Sequence, residues 1–305
     1  MQEKLHKFQG FNIQKRVIRN YPIKSAANIL GYINEVNELV AKKDNYYQQG
    51  ELIGKAGVEA QYEKVLRGKK GKKYFRRDRF NKIKGPFKNG IYDSIAVNGK
   101  DITLTIDSKL QQYGEYLMKG KRGGIIALEP SSGEILALVT SPSYDPNMMV
   151  GRLRSPNSVK LIGDSINKPM YDRGLKGTYP PGSPFKLVNA LIGLQEDVID
   201  ENTHFFCNGG YRYVNREKEF MKCHCDIYGK PIQLNTAISK SCNSYFANTY
   251  KRIIEKNNNS TNGMNNWSAH VKSFGLGNYL GYDLPEGDKG LIPNGDYYSN
   301  MYKYR

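Results

Sequence analysis

Residues 179–187 read Tyr-Pro-Pro-Gly-Ser-Pro-Phe-Lys-Leu and predict a tight turn that passes directly into a helix. The prolines cannot lie inside a helix, while Gly182 permits a sharp change of backbone direction. Ser183 suits the N-cap of the helix and Pro184 its first position. Lys186 follows Ser183 by three residues, so we expect the two side chains on one face, one turn apart.

A serine with a lysine in reach can act as an activated nucleophile, and N–H groups at a helix start stabilise negative charge. The alternative is a capped, buried helix whose lysine faces solvent. Apolar residues at helical spacing predict that the helix is buried: Leu187, Val188, Ala190, Leu191 and Leu194.

The chain is long enough for two domains and is strongly basic. It has 305 residues, with 46 Lys and Arg against 29 Asp and Glu, a net charge of +17. This excess favours anionic partners such as nucleic acid, an acidic membrane surface or a polyanionic cell wall. We find no apolar run of about 18 residues that would predict a membrane span.

Alternating and apolar stretches predict strands on both sides of a helix. Residues 101–107 alternate with period two and predict a strand, after which Ser108 caps a helix. Residues 123–128 and 134–139 flank a Pro/Ser/Gly turn and predict an antiparallel hairpin. A further strand is predicted over 11–17.

Residues 67–88 combine eleven basic residues with four aromatic ones and a single acid, Asp78. Such a composition can bind nucleic acid, but no nucleic-acid motif accompanies it. We therefore favour a solvated hairpin or linker whose charges face water or an anionic envelope surface.

A second motif, Ser241-Cys242-Asn243, follows Ser183 by 58 residues. Ser-x-x-Lys followed by Ser-x-Asn belongs to the motif set of penicillin-binding proteins and serine β-lactamases. The chain resembles class B penicillin-binding proteins, in particular the elongation-type penicillin-binding protein 2 group. Further segments carry this resemblance: 19–22 with Ala27 and Gly31, 54–68, 103–107 with Gln111, 133–137 and 142–147.

The resemblance implies a D,D-transpeptidase that cross-links peptidoglycan stem peptides and binds penicillin covalently. Ser183 would attack the carbonyl between two terminal D-alanines, and Lys186 would be the general base. Its pKa must then fall from about 10.4, as burial or nearby positive charge would achieve. Ser241 would relay a proton to the leaving amine, and Asn243 would hold the substrate amide.

The resemblance also implies an α+β fold, with an antiparallel sheet that carries helices on its faces. We expect residues 1–95 to be part of the pedestal, or dimerisation-type, domain. Residues 96–305 would be the N-terminal part of the transpeptidase domain. No Lys-Thr-Gly follows Asn243, and position 184 is proline where the family usually has threonine. We therefore expect a fragment that lacks the membrane anchor and the Lys-Thr-Gly region and is inactive or very weak.

The cysteines leave three possibilities open. Cys207, Cys223, His224 and Cys225 could bind zinc, Cys207 and Cys223 could form a disulfide, or the thiols could be free. Some relatives carry metal in this region, although their ligands do not transfer residue by residue. We predict no cofactor and no metal ligand, and we interpret Cys242 as a packing residue.

The expected partners are stem peptides ending in D-Ala-D-Ala, β-lactams, and the membrane-bound elongation machinery with its glycosyltransferase. We expect no nucleic acid. The expected location is the bacterial envelope, on the periplasmic side of the inner membrane. Two other functions stay open: a β-lactam sensor or serine β-lactamase-like hydrolase, and a non-catalytic scaffold of the elongation machinery.

Overall fold

The computed structural model describes residues 18–213, 220–256, 259–285 and 287–303. The strand predicted over 11–17 lies outside these residues. The chain divides into two compact units, residues 1–177 with 283–287 and residues 178–282 with 288–305. All strand pairs in the described part are antiparallel, and helices are interspersed with them, so the predicted α+β class is confirmed. In the described residues we find no helix with the length and apolarity to cross a bilayer.

The first unit contains seven α-helices, six strands and three short 3₁₀ helices in its described part. In chain order the helices and strands are α1 (Ala27–Leu30), β1 (Ile33–Glu35), α2 (Glu38–Lys43), β2 (Leu52–Gly54), α3 (Gly57–Gln61), α4 (Glu63–Leu66), β3 (Phe75–Arg77), β4 (Ile83–Pro86), α5 (Ser108–Leu117), β5 (Gly123–Leu128), β6 (Ile135–Ser141), α6 (Arg154–Gly163) and α7 (Arg173–Lys176). The 3₁₀ helices are Phe87–Gly90, Pro146–Met149 and Gly151–Leu153.

The predicted hairpin is confirmed as β5 paired with β6, and α5 packs beside it. The amide of Gln111, which is buried in α5, binds both backbone groups of Leu138 at 2.8 and 3.0 Å. It therefore completes the open edge of β6 as a neighbouring strand would. The strand predicted over 101–107 is wrong, because Asp107 caps α5 with its carboxylate while its N–H binds β6.

Two residues of the N-terminal stretch that carries the resemblance, Arg19 and Gly31, make contacts that few other residues could make. Arg19 forms a bidentate ion pair with the buried carboxylate of Glu59, at 2.6 and 2.9 Å. Gly31 has φ +75°, and a Cβ there would lie 1.8 Å from the carbonyl oxygen of Ala56. Only glycine fits this close approach of two backbone segments.

The second unit is mainly helical in its described part. Its helices and strands are α8 (Phe185–Gln195), β7 (His204–Phe206), β8 (Gly210–Arg212), β9 (Phe220–Lys222), β10 (Pro231–Gln233), α9 (Leu234–Ser239), α10 (Asn243–Glu255), α11 (Ser260–Ser273) and α12 (Gly295–Tyr302). Strand β7 pairs with β10, and β8 pairs with β9.

Helix α8 lies between two apolar clusters. Ala190 belongs to a cluster with residues of α9 and α10, and Ile192 belongs to one with residues of α10 and α11. The helix was predicted to be buried, and this holds only for the face that carries Ala190 and Ile192. Leu187 and Leu191 are 51% and 52% exposed. Packing against α10 and α11 therefore fixes the helix whose first turn carries Lys186.

Candidate active site

The turn before α8 presents Ser183 without using its hydroxyl as a cap. The helix begins at Phe185, its N-cap position is Pro184, and no side chain caps it. The predicted N-cap role of Ser183 is therefore wrong. Its exposed Oγ instead accepts a hydrogen bond of 2.9 Å from the hydroxyl of Ser241. A hydroxyl that is not engaged by the helix backbone is available for chemistry.

The loop between α9 and α10 carries the second motif in a sharp turn. Ser241 has φ +52°, a left-handed conformation that is uncommon for a residue with a side chain. Its N–H binds the carbonyl of Ile238 at 3.1 Å. Cys242 caps α10 by accepting the N–H of Tyr245, and Asn243 is the first helical residue. The turn thus leaves the hydroxyl of Ser241 and the amide of Asn243 free to face α8.

Lys186 joins the two motifs. Its Nζ donates to the carbonyl oxygen of Ser241 at 2.7 Å, to the Oγ of Ser241 at 2.9 Å and to the Oδ1 of Asn243 at 2.6 Å. Three acceptors match the three protons of an ammonium group. Burial lowers the pKa of Lys186, although nearby cysteines act in the opposite direction. The structure therefore brings together all four residues that the sequence singled out.

The hydroxyl of Ser241 lies between the nucleophile and the lysine. It contacts Ser183 Oγ on one side and Lys186 Nζ on the other, each at 2.9 Å. Hydroxyl groups both donate and accept, so a proton could pass from Ser183 through Ser241 to a neutral Lys186. Asn243 Nδ2 donates to the carbonyl of Lys222 at 2.8 Å, which holds the Asn243 amide with Oδ1 towards the lysine.

A cluster of four buried thiols lies behind the same loop. Cys207, Cys223, Cys225 and Cys242 are all free, and their Sγ atoms lie within 4.8 Å of one another. His224 is exposed and does not belong to this group. The interpretation of Cys242 as a packing residue was incomplete, because its Sγ lies 3.7 Å from that of Cys223. One signal could have indicated this: all the cysteines of the chain fall between 207 and 242.

The donor set and spacing of this thiol cluster suit zinc. Zinc prefers tetrahedral thiolate ligands at about 2.3 Å, which places neighbouring sulfurs about 3.8 Å apart. Two pairs, Cys223 with Cys242 and Cys225 with Cys207, are 3.7 and 3.5 Å apart, and all four Sγ atoms lie within 4.8 Å of one another. Thiols this close together need little rearrangement to bind a metal ion.

The thiol of Cys223 ionises more readily than an ordinary cysteine. Burial raises its pKa, but donors from the backbone of Ser244, Cys225 and Asn243 outweigh burial and lower the pKa to about 6. The N–H of Asn243 contacts its Sγ at 3.2 Å. The first residue of α10 is therefore bound to the thiol cluster through its backbone and to Lys186 through its side chain.

A cleft of about 480 Å³ opens beside Lys186 and Asn243. Its walls are largely apolar and come from α10 and from β8, β9 and their flanks: Tyr211, Tyr213, Met221, Phe246, Tyr250 and Ile254. No motif in the sequence marks these residues as part of a site. The aromatic side chains lie on two separate segments, and only folding brings them together around the two polar groups.

Two family models match the chain. The model of the penicillin-binding protein transpeptidase domain matches residues 123–304, more than half of the chain. The model of the penicillin-binding protein dimerisation domain matches residues 1–104. A domain boundary at residue 95 stays a prediction.

Curated relatives and solved structures agree with these matches. The peptidoglycan D,D-transpeptidase MrdA of Acinetobacter baumannii is 34% identical over 95% of this chain and 41% of its own length. MrdA of Escherichia coli K12 is 30% identical over 98% of the chain and 46% of its own length. The chain therefore spans less than half the length of these relatives.

Two solved structures share the fold. Helicobacter pylori PBP2, in a complex with MreC, superposes with a TM-score of 0.82 at 27% identity, covering 99% of this chain and 54% of that one. Pseudomonas aeruginosa PBP2, in complex with WCK 5153, gives a TM-score of 0.72 at 30% identity, covering 96% of this chain and 58% of that one. The chain belongs to the penicillin-binding proteins, and within them to the class B proteins of the PBP2/MrdA type.

Proposed function

We propose that this chain supplies the nucleophile, general base and proton relay of a peptidoglycan D,D-transpeptidase. One observation carries the proposal most strongly: Ser183, Ser241 and Lys186 form a continuous hydrogen-bonded path. A serine hydroxyl needs such a base to become a nucleophile near neutral pH. The alternative of a non-catalytic scaffold gives no reason for the arrangement.

In the proposed reaction, Ser183 Oγ bonds to the carbonyl carbon between two terminal D-alanines. The serine proton passes through Ser241 to the neutral amine of Lys186. The amide C–N bond then breaks, and the terminal D-alanine leaves with a proton returned along the same path. An amine of a neighbouring stem peptide attacks the acyl group and gives up a proton to Lys186. The ester bond to Ser183 breaks, the proton returns to Ser183 Oγ through Ser241, and the cross-link is formed. Asn243 and the cleft beside it would position the acyl donor.

A β-lactam would enter by the same first step. Ser183 would open the lactam amide bond and remain acylated, because no leaving group departs from the site. The substrates of the whole protein are thus proposed to be stem peptides that end in D-Ala-D-Ala. Its proposed place is the cell envelope, on the periplasmic side of the inner membrane, among the proteins of cell-wall elongation and their glycosyltransferase. Helicobacter pylori PBP2 forms a complex with MreC, which supports a protein partner for this chain.

In place of the expectation that no residue is a metal ligand, we propose that the thiol cluster is a structural metal centre. Cys207, Cys223, Cys225 and Cys242 would hold a zinc ion, which with four protein ligands is a closed centre without a position for substrate. Its effect on catalysis would be indirect, through the turn that lies beside it. The N–H of Asn243 binds Cys223, and Cys242 caps α10, so the cluster holds the Ser241-to-Asn243 turn in place.

A labelled penicillin tests the proposed acyl-enzyme. We expect the chain to form a slow covalent adduct that peptide mass spectrometry assigns to Ser183. The resemblance implies that the Lys-Thr-Gly strand of the family supplies one oxyanion-hole N–H, and no Lys-Thr-Gly follows Asn243 in this sequence. The rate should be low, because loss of one oxyanion donor costs about 10²–10³ in rate. The Acinetobacter baumannii relative serves as the positive control.

Two variants make the result decisive. Ser183→Ala should abolish the adduct, and Ser239→Ala, which changes an exposed serine of α9, should leave it unchanged. Labelling that persists in Ser183→Ala, or no labelling of a folded chain, would contradict the proposal. Multiple turnover of penicillin would instead favour a hydrolase.

A further inference from the structure

The first unit carries an exposed basic and aromatic region, here called the basic hairpin, that consists of residues 67–97. It contains β3, β4 and the segments that flank them, with eleven basic residues and two acids. Bridges between Lys72 and Ser94 and between Lys69 and Val97 close its base. The proposed transpeptidase chemistry gives this region no role.

No third strand and no helix covers the two strands of the basic hairpin in the described part of the chain. All three residues of β3 are exposed, and so are all residues of β4 except Gly85, which is half-buried. Phe75 lies opposite Pro86, and Arg77 lies opposite Ile83. Residues that face each other across two strands share one face, so this face presents apolar and cationic groups together. An isolated two-stranded sheet is marginal in water, so an uncovered one can gain from docking.

The two acids leave three cations near the tip without a carboxylate partner among the described residues. Asp78 accepts the N–H groups of Phe80 and Lys82, each at 2.9 Å, and its other oxygen lies 3.4 Å from Lys84 Nζ. It therefore stabilises the turn itself.

The second acid has a similar local task, since Asp93 accepts the N–H of Tyr74 at 2.9 Å. Arg76, Arg79 and Lys82 have no carboxylate of a described residue within 4.0 Å. The tip of the basic hairpin thus carries uncompensated positive charge.

Large apolar side chains are exposed along the basic hairpin. Phe80 and Ile83, in and beside the β3–β4 turn, are 68% and 57% exposed, and Ile91 and Ile95, towards the base, are 79% and 90% exposed. Exposed apolar surface at the tip indicates a site of interaction.

Cations lie directly beside aromatic rings in the basic hairpin. Arg79 lies 4.8 Å from the ring centre of Phe80, and Lys88 lies 5.7 and 5.4 Å from those of Phe87 and Tyr92. Rings at the level of lipid headgroups next to Lys and Arg are typical of segments that lie in a membrane interface.

We propose that the basic hairpin binds the surface of an anionic lipid bilayer, with its cations at the headgroups and Phe80 and Ile83 at the acyl boundary. A bilayer offers both an anionic and an apolar layer, and it requires no complementary shape. Nucleic acid would bind the cations and stack on the rings, but would leave Ile83 in water. An acidic protein would have to place a carboxylate opposite each cation, which requires a complementary shape.

Vesicle co-sedimentation tests the charge component. The 305-residue chain is mixed with phosphatidylcholine vesicles that contain either no or about one-third phosphatidylglycerol. Since each Lys or Arg near such a surface contributes about fivefold in affinity, Arg76→Gln/Arg79→Gln/Lys82→Gln should weaken binding by on the order of 100-fold. The matched control is Lys119→Gln/Lys121→Gln/Lys160→Gln, which removes three exposed cations elsewhere in the same unit. It should change binding by less than about fivefold.

Fluorescence tests the apolar component. In Phe80→Trp, we expect a blue shift on binding and quenching by lipids with brominated acyl chains. The native Trp267 is buried in the other unit, so the unmodified chain supplies the background. Equal binding to neutral and anionic vesicles would overturn the proposal. So would an equal loss in both triple variants, an introduced tryptophan that is not quenched, or tighter binding to a single-stranded nucleic acid than to the vesicles.

Discussion

The two sides of the turn 241–243 differ in nearly every physical respect. On one side, the exposed hydroxyl of Ser241 and the amide of Asn243 contact Lys186 through polar hydrogen bonds. On the other side, Cys242 is fully buried among thiols. The polar side has groups that can exchange protons, whereas the thiols are buried away from solvent. The buried side fixes the backbone, and the exposed side can therefore present its polar groups to Lys186.

Replacing Lys186 should affect chemistry much more than stability. We expect Lys186→Gln to lower the rate of penicillin acylation by about 10²–10⁴, the usual contribution of a general base. Lys240→Gln is the matched control, because Lys240 is exposed and adjacent to the same turn. Acylation kinetics and thermal melting should be measured together. If Lys186→Gln lost as much stability as the Cys242→Ser variant described next, the two sides of the turn would not differ in function.

Replacing a thiol should affect stability first. We expect Cys242→Ser to lower the free energy of unfolding by about 2–5 kcal/mol, because it removes a ligand of the proposed metal centre from a packed core. Bound zinc, measured by elemental analysis, should fall from one equivalent per chain. Ser241→Ala, which changes the neighbouring residue on the exposed side, should keep its zinc. A chain that contains no zinc and is unaffected by Cys242→Ser would refute the structural role.

The pH dependence of acylation should report the lysine. Burial disfavours the charged amine, so the pKa of Lys186 lies below that of a free lysine. The reactive neutral form therefore becomes populated at lower pH than in an exposed lysine. We expect the rate to rise about tenfold per pH unit and to level off below the ordinary pKa of about 10.4. The slope should disappear in Lys186→Gln, and its persistence there would assign the base to another group.

The carboxylate of Glu196, also in the second unit, should give the smallest effect of these variants. Glu196 accepts hydrogen bonds from Asn266, His270 and Lys256, which lower its pKa to about 2. Its contribution to stability is present above the ordinary carboxyl pKa of about 4.5 and is lost as the pH falls towards 2. We expect Glu196→Gln to cost roughly 1–2 kcal/mol at pH 7, after discounting for solvent screening.

The control for this variant is Glu201→Gln, which changes an exposed carboxylate of the second unit. Urea unfolding at pH 7 and at pH 3 measures both proteins. The deficit of Glu196→Gln should shrink at the lower pH, and a constant deficit would exclude the titration of Glu196 as its cause.

The polar side of the turn was predicted from two sources. Ser183 and Lys186 lie one helical turn apart, which spacing along the chain determines, whereas Ser241 and Asn243 were expected beside them only through the family resemblance of the two motifs. The hairpin of β5 and β6 followed from two apolar runs and a turn. The Ser183–Lys186 spacing and the hairpin depend on local geometry, which short patterns encode.

The thiol cluster and the start of α8 could not be read in the same way. Cys207 and Cys242 are 35 positions apart, and their proximity depends on how β7, β9 and α10 pack. The hydroxyl of Ser183 prefers Ser241 to the helix backbone, a choice between two partners that only the folded structure decides. The exposure of Leu187 was also hidden, because periodicity identifies an apolar face without naming what covers it.

The left-handed backbone of Ser241 has a consequence for how this site can evolve. Glycine would adopt that conformation with less strain, and asparagine tolerates it better than most residues. Neither supplies the hydroxyl that bridges Ser183 and Lys186. Substitution of Ser241 should therefore not give an active enzyme that resists a covalent antibiotic, because the changes that relax the backbone also remove the proposed proton relay. Selection would have to act on the walls of the cleft instead.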